Sequence, residues 1–211
     1  MRHSTHSRIA CLLLGLFALA LAGCGIGQRS PETRYYVLAL PSSSGQAAGM
    51  RAITGPRVSV GPISLPAYLD RQQIFIRQGN STDVKLADYD RWGEDMSEGI
   101  VRLLVEAMSA QFASTGGVAQ PLRSASPPDR RIGVNINRFD GAPGAEVVLD
   151  ADWGLYTPQG DILREGYFLA TAQAGVDIDS LVRAHGELLA QFSNALVEAI
   201  RSAPAKKPTR R

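Results

Sequence analysis

The sequence has 211 residues, of which 45% are hydrophobic and 20% are charged, a composition typical of a globular protein. Its 22 basic and 20 acidic side chains nearly balance, and no basic stripe marks a folded segment, which excludes a nucleic-acid-binding protein. Only two cysteines and three histidines are present, too few for a zinc site built from several such ligands.

The first residues have the three parts of a secretory signal. Arg2 and Arg8 form a basic start without any acid, and an apolar run follows from Ile9 to Ala22. This run is shorter than the roughly 20 residues that a membrane-spanning helix needs. The order Leu-Ala-Gly directly before Cys24 resembles a bacterial lipoprotein box. We therefore expect a diacylglycerol on the Cys24 sulfur, in preference to a transmembrane helix or an ordinary signal with a chance cysteine.

The predicted cleavage divides the rest of the chain into three parts. It removes residues 1–23, whose loss leaves equal numbers of basic and acidic side chains. Residues 24–33 are polar and contain glycine and proline, which predicts a short lipidated tether. A folded domain is expected over residues 34–203, followed by a basic tail over residues 204–211. No second apolar run is long enough to span a bilayer, so the lipid is the expected membrane contact.

Four short strands are predicted before the first helix. They are rich in β-branched or aromatic residues and are bounded by glycine, proline or asparagine. The predicted spans are 34–40, 57–60, 73–77 and 84–87, and Gly61-Pro62 is expected to end the second.

Between the second and third of these strands lies a segment without a regular period, residues 63–71. It is predicted to be an ordered irregular loop or one helical turn. Its apolar side chains either plug the end of the core or form an exposed patch of the kind that marks a partner site. The candidate partner interface consists of Leu65, Pro66, Tyr68, Leu69 and Arg71.

A long amphipathic helix is predicted from Arg91 to Phe112, with Asp90 as its N-cap and Gly116-Gly117 ending it. Its apolar stripe includes Trp92 and two methionines. A ligand pocket is one interpretation of that stripe, but plain core is the more common explanation.

The second half of the chain repeats the order of strands followed by a helix. Strands are predicted over residues 130–139, 146–156 and 162–171, and the last two form a hairpin. A second long helix is expected over 179–203, capped by Asp177 or Asp179. The whole predicts a single α+β or α/β domain, with a mixed sheet of about six strands covered by two long amphipathic helices.

The sequence offers little for catalysis, and we expect no enzyme, no metal site and no cofactor other than the covalent lipid. His185 lies on the apolar stripe of the last helix, where a buried structural histidine is more common than a catalytic base. Asp150 and Asp152 share one strand face, which is explained by solvation more simply than by a bound cation. An acidic cluster near the first helix is explained by the preference of helix starts for acids; it comprises Asp88, Asp90, Glu94, Asp95 and Glu98.

Several of these segments together resemble a known family. They are Arg34-Tyr35-Tyr36-Val37-Leu38, then Val58-Ser59-Val60-Gly61-Pro62 leading to Leu65-Pro66-Ala67-Tyr68-Leu69-Asp70-Arg71-Gln72-Gln73-Ile74, then Trp92-Gly93-Glu94, and a strand with Trp153 before a turn at Gly160. This pattern is similar to the ABC-type transport auxiliary lipoprotein family, the PqiC-like outer-membrane lipoproteins. One departure is Glu94-Asp95-Met96, where the family more often has Glu-Pro-Leu.

The resemblance implies a non-enzymatic envelope protein. Partners in the family are MCE-domain (PqiB-like) proteins, which move lipids or hydrophobic compounds between membranes. Gly25 stands where an Asp would be the usual inner-membrane retention signal, so the outer membrane, on its periplasmic face, is the expected location. Homo-oligomerisation is left open by the residues.

Two other functions remain as alternatives at this stage. One is an outer-membrane assembly or stability factor, and the other is a small-lipid carrier with an internal apolar cavity. Co-purification of an MCE-domain partner would separate the docking function from the first, and stoichiometric bound lipid would reveal the second.

Overall fold

The computed structural model of the protein describes residues 31–41 and 52–203. Within these ranges the chain forms eight strands and two helices in one α+β domain, part of a compact unit that begins at Thr33. Strands β1 to β4 span Arg34–Tyr36, Arg57–Ser64, Gln73–Arg77 and Val84–Trp92. Helix α1 spans Met96–Phe112 and continues into a 3-10 turn at Ala113–Thr115. Strands β5 to β8 span Val118–Pro121, Arg130–Asp140, Glu146–Tyr156 and Ile162–Gln173, and helix α2 spans Ile178–Arg201.

The larger of two sheets has five strands in the order β5–β2–β6–β7–β8. Strand β2 runs parallel to both β5 and β6, whereas β6, β7 and β8 form antiparallel hairpins. In the second hairpin Trp153 lies opposite Gly166, and its indole ring occupies the space that a side chain at Gly166 would need. The close approach explains a glycine in the middle of a long strand.

Both helices pack on one face of this sheet. Helix α1 contacts β2 and β5, helix α2 contacts β7 and β8, and the helices contact each other. Their apolar residues recur at three- and four-residue spacing and so form one buried stripe per helix. Helix α2 begins with a capping box, in which the Asp177 side chain accepts from the Ser180 N–H at 2.8 Å and the Ser180 hydroxyl accepts from the Asp177 N–H.

The smaller sheet has three strands in the order β1–β4–β3, with β1 parallel to β4 and β3 antiparallel to it. An ion pair between Arg34 and Asp90, 2.8 Å long, joins β1 to β4. The Arg77 N–H donates to the Gly141 carbonyl at 2.9 Å, which connects the end of β3 to the end of β6 in the larger sheet. The two sheets therefore meet where β6 ends.

Residues 37–40 follow β1 and run against both helices. Leu38 is 2% exposed, and its carbonyl accepts from the Arg102 guanidinium of α1 at 2.8 Å. On α2, a side chain at Gly186 would collide with the carbonyl oxygen of Ala39. The backbone can approach α2 this closely because position 186 has no side chain.

The structure confirms a single α+β domain with two helices, but the single sheet of about six strands was wrong. The described residues form eight strands in two sheets. Strand β5 escaped prediction because its four residues carry too little pattern to distinguish it from a loop. Strands β3 and β7 have the predicted bounds.

Other element boundaries also differ from the sequence prediction. Strand β1 ends at Tyr36 instead of Leu40, because the next residues leave the sheet to cross the helices. Strand β2 continues past Gly61-Pro62 to Ser64, since its register against β6 shifts there and a bulge tolerates proline.

The predicted start of the first helix was wrong as well. Asp90 is not an N-cap but lies in β4, where it pairs with Arg34. Trp92 also belongs to β4, because it pairs with Tyr36 of β1, and its N–H donates to the Gln72 carbonyl. Helix α1 begins only at Met96, after Asp95 in extended conformation.

Candidate functional site: the loop after β2 and its buried carboxylate

The loop between β2 and β3, residues 65–72, contains every residue of the candidate partner interface. Leu69 is 3% exposed and belongs to the core, and Leu65 and Tyr68 are partly buried against that core. Pro66 is half-buried, whereas Arg71 is exposed. A tight turn, in which the Leu69 N–H donates to the Pro66 carbonyl at 2.9 Å, turns the apolar side chains inward. The outer surface of the loop therefore consists of Ala67, Asp70, Arg71 and Gln72 together with part of Pro66.

The loop is anchored by Asp140, at the end of β6. The Asp140 side chain has no exposed surface. Its Oδ2 atom accepts from the Tyr68 hydroxyl at 2.8 Å, and its Oδ1 atom accepts from Nε of Arg138 at 2.8 Å. The Arg77 guanidinium lies 3.5 Å from Oδ2. A buried carboxylate is tolerated here because two cations and a hydroxyl surround it.

The same cluster reaches the turn between β3 and β4. Arg138 donates to the side chain of Asn80 at 2.8 Å and to the carbonyl of Gly79 at 2.5 Å. Arg77 lies over the ring of Tyr68, 5.1 Å from the ring centroid. The carboxylate thus joins the loop to both sheets, and Arg138 extends the cluster to the β3–β4 turn.

Burial, together with the hydrogen bond to Asp140, raises the pKa of Tyr68 well above its ordinary value of 10.0. The phenol is therefore neutral at physiological pH and serves as a hydrogen-bond donor. Its ring packs against Phe75 with centroids 4.7 Å apart. These contacts give Tyr68 and Asp140 a structural role in holding the loop.

His185 lies in the core, as its placement on the apolar stripe predicted. It is 2% exposed, and its Nδ1 atom lies 2.8 Å from the Leu181 carbonyl, to which the ring donates. The edge of the ring meets Phe139 at 4.6 Å and Trp92 at 5.8 Å between centroids. Burial lowers the pKa of His185, which keeps the imidazole neutral. An imidazole enclosed by aromatic rings in this way has no access to a substrate.

The other residues considered for chemistry have structural surroundings. Trp92, Met96 and Met108 are buried in the core, which confirms the plainer interpretation of that stripe. The Asn137 amide donates to both Asp150 and Asp152, at 3.0 and 2.9 Å, on the outer face of the larger sheet. Among the described residues, no group of three or more His, Cys, Asp or Glu side chains is placed to hold a metal ion.

Cys24, the tether before residue 31 and the basic tail lie outside the described residues. Within the part of the chain that is described, no helix has the length and apolar character needed to cross a membrane. Sequence reasoning missed Asp140, Arg77 and Arg138 as partners of the loop. The contact between Asp140 and Tyr68 joins residues far apart in the sequence, so no local pattern could reveal it.

The fold is shared with solved protein structures. One is described as an uncharacterized protein; it is 20% identical, has a TM-score of 0.65, and the match covers 81% of this chain and 99% of that one. Another is protein XCC0632 from Xanthomonas campestris, 13% identical with a TM-score of 0.59, the match covering 80% of this chain and 94% of that one. No curated protein matches the sequence.

These likenesses define the class as an α+β domain whose fold is shared with both of these proteins. The family is given by the sequence itself, since residues 36–197 match the model of the ABC-type transport auxiliary lipoprotein component. The chain belongs to this family, which confirms the resemblance seen in the sequence motifs. The loop after β2 and the Asp140 cluster lie within the matched residues.

Proposed function

We propose that the protein is a non-enzymatic docking component of an MCE-type intermembrane transport system for lipids or hydrophobic compounds. A diacylglycerol on Cys24 holds it at the periplasmic face of the outer membrane, and the domain binds an MCE-domain (PqiB-like) protein. Membership of the transport auxiliary lipoprotein family supports the auxiliary role. The observation that carries the proposal is the loop after β2, a surface held in one conformation by a buried carboxylate.

The contacts of the loop divide its residues into two groups. Tyr68 and Leu69 face inward and fix the backbone, through Asp140 and through the core. Arg71 and its exposed neighbours face solvent and offer a charged surface. A surface that is ordered before binding loses less conformational entropy when a partner docks, which favours affinity. The inward residues thus prepare the contact, and the outward residues make it.

The test is co-purification with the MCE-domain protein after crosslinking in intact envelopes. We expect Arg71→Glu to reduce the yield of the crosslinked partner at least tenfold and to leave the melting temperature unchanged, because Arg71 is exposed. Lys85→Glu makes the same charge change on an exposed residue of β4 and serves as the matched control. If both variants recover the partner as well as the parent does, the loop is not the docking surface.

Leu69→Asp separates the two roles of the loop. Since Leu69 is 3% exposed, a carboxylate there would be buried without a partner, and we expect the domain to unfold. A folded Leu69→Asp variant that had lost only its partner would instead assign Leu69 to the interface.

The two alternatives give different results in the same preparation. An outer-membrane assembly factor would be recovered with envelope machinery other than an MCE-domain protein. A small-lipid carrier would retain stoichiometric lipid, besides the acyl chains on Cys24, in native mass spectrometry. We expect neither result.

A further inference from the structure

The five-stranded sheet is incomplete on one side of β2. Strand β2 has eight residues and its neighbour β5 has four, so β5 pairs only with residues 57–60. The Leu122 N–H donates to the Val60 carbonyl, and the chain then turns away, with the Ser124 N–H donating to the Pro121 carbonyl. Beyond this point β2 continues to pair with β6 on its other side, but no described strand lies on the β5 side.

A groove of about 540 Å³ occupies the place of the missing half-strand. Its floor is helix α1, with Val101 and Val105, and its walls are Ile63 of β2 and Leu122 after β5. Leu122 is 38% exposed. The helical floor from Val105 to Glu98 is roughly 10 Å long, which equals about three residues of a strand. We call this groove, lined by Ile63, Val101, Val105 and Leu122, the β2 slot.

The wall of the slot favours a polypeptide over a hydrocarbon chain. Alternate residues of a strand direct their N–H and C=O groups to opposite sides, and beyond Val60 the groups of β2 on the slot side meet no described strand. Covering such groups with an acyl chain would be unfavourable, because each of them would be left without a hydrogen bond. An added strand would pair with these groups and bury its side chains on the floor.

The two ends of the slot carry opposite charges. Exposed Arg123 lies at the end next to β5, and exposed Glu98 lies near the start of α1. Among the described residues, neither side chain forms an ion pair. Arg102, also at the slot, is engaged by Glu94 and by the Leu38 carbonyl. The slot therefore complements a segment with an acidic group at the Arg123 end and a basic group at the Glu98 end.

We propose that the β2 slot binds an extended segment of a partner polypeptide by β-strand addition. The segment runs along β2 beyond Val60 over about three residues and pairs with the backbone groups that face the slot. It places small or β-branched apolar side chains on Val101 and Val105, and it carries charges opposite to Arg123 and Glu98. The inference rests on the proposed docking function only in requiring a protein partner. The β2 slot would be a second contact for the partner, next in the sequence to the loop after β2.

The test is site-specific photocrosslinking of the full chain in intact envelopes. A photoreactive residue is introduced in place of Leu122 or of Val101, and in place of Leu169 on the open face of the sheet as the control position. We expect the two slot positions to form adducts with one polypeptide, at residues within about four of each other, since a strand rises 3.3 Å per residue. Leu169 should give no adduct with that segment.

Two substitutions then test whether the slot itself is needed. Val105→Trp fills the slot, and we expect it to lower adduct formation at Leu122 at least tenfold. Ala110→Trp, on an exposed part of α1 outside the slot, is the matched control and should leave the yield unchanged. If Val105→Trp lowers the melting temperature, Arg123→Glu replaces it, with the same loss of adducts expected from charge repulsion.

The outcomes separate this inference from the proposed function. Adducts with a contiguous segment of an MCE-domain protein support both, and adducts with a contiguous segment of another polypeptide support strand addition alone. Strand addition would be overturned by adducts on phospholipid, by adducts scattered over several polypeptides or by the absence of adducts. A yield of adducts that the slot substitutions leave unchanged would also overturn it. Loss of the MCE-domain protein in the Arg71→Glu variant, with recovery in the parent, would then still support the docking function.

Discussion

Substitution of Asp140 should destabilise the domain strongly. Asp140→Asn keeps the shape of the side chain but leaves Arg77 and Arg138 without a counter-charge, and we expect a loss of about 3 kcal/mol in the free energy of unfolding. Tyr68→Phe removes one hydrogen bond to the carboxylate and should cost about 1.5 kcal/mol. Urea unfolding of the two variants measures both values. Equal costs, or no cost for Asp140→Asn, would contradict the central place of the carboxylate.

His185 should make the stability of the domain fall in mild acid. Burial lowers the pKa of His185 in the folded state, and the hydrogen bond to the Leu181 carbonyl and the charge of Asp140 oppose that effect only partly. The unfolded chain takes up a proton near pH 6.5, whereas the folded domain does not. The stabilisation is therefore complete above pH 6.5 and decreases below it, by at most about 1.4 kcal/mol per pH unit.

The variant His185→Phe isolates this effect. It keeps an aromatic ring against Trp92 and Phe139 but removes the titrating group. Unfolding in urea at pH 6.5, 6.0 and 5.5 should show the decrease for the parent and a flat profile for the variant. The same slope in both proteins would assign the acid sensitivity to other groups.

Single residues differ in how well the sequence predicts their role. His185 could be placed in the core, because helical spacing puts it on a stripe with Leu181, Leu188 and Leu189. The partners of Asp140 could not be found this way. Tyr68, Arg77 and Arg138 come together through tertiary packing of three separate segments, and no local spacing encodes such a contact.

At the scale of elements, the start of α2 offers a matched pair of aspartates. Asp177 caps the helix through the Ser180 N–H, and Asp177→Ala should cost about 1 kcal/mol. Asp179, in the same turn, instead pairs with Arg183 on the exposed surface, and Asp179→Ala should cost less than about 0.5 kcal/mol. Thermal melting compares the two directly. A larger loss for Asp179→Ala would mean that the exposed ion pair, and not the cap, stabilises the start of the helix.

Elements with strong local patterns were predicted well, and those set by neighbours were not. Strand β7 alternates between buried and more exposed residues from Glu146 to Asp152, and the alternation of apolar residues in its sequence was enough to predict its bounds. Residues 88–92 have the composition of a helix start, yet pairing with β1 keeps Trp92 in β4. The division into two sheets also depends on long-range pairing, which the pattern of each strand does not specify.

At the scale of the whole molecule, helix α2 separates the two ends of the described domain. Tyr36 of β1 lines a surface cavity together with Asp179 and Arg183, near the start of α2. The helix has 24 residues, so its end at Arg201 lies roughly 36 Å along its axis from that start. The basic tail after residue 203 is thus attached at the opposite end of α2 from β1, which follows the predicted tether.

The predicted anchor makes the location of the whole protein depend on one thiol. Mass spectrometry of the N-terminal peptide from envelopes should find Cys24 as the first residue, carrying acyl chains. Each buried methylene contributes about 0.8 kcal/mol, and more than one acyl chain is needed for stable anchoring.

Cys24→Ala should leave the protein without acyl mass, soluble or in its signal-bearing form. Cys11→Ala changes the other cysteine, inside the predicted signal, and should be processed like the parent. Acylation that persists in Cys24→Ala would contradict the lipid anchor on Cys24. A parent protein without acyl mass would contradict it as well.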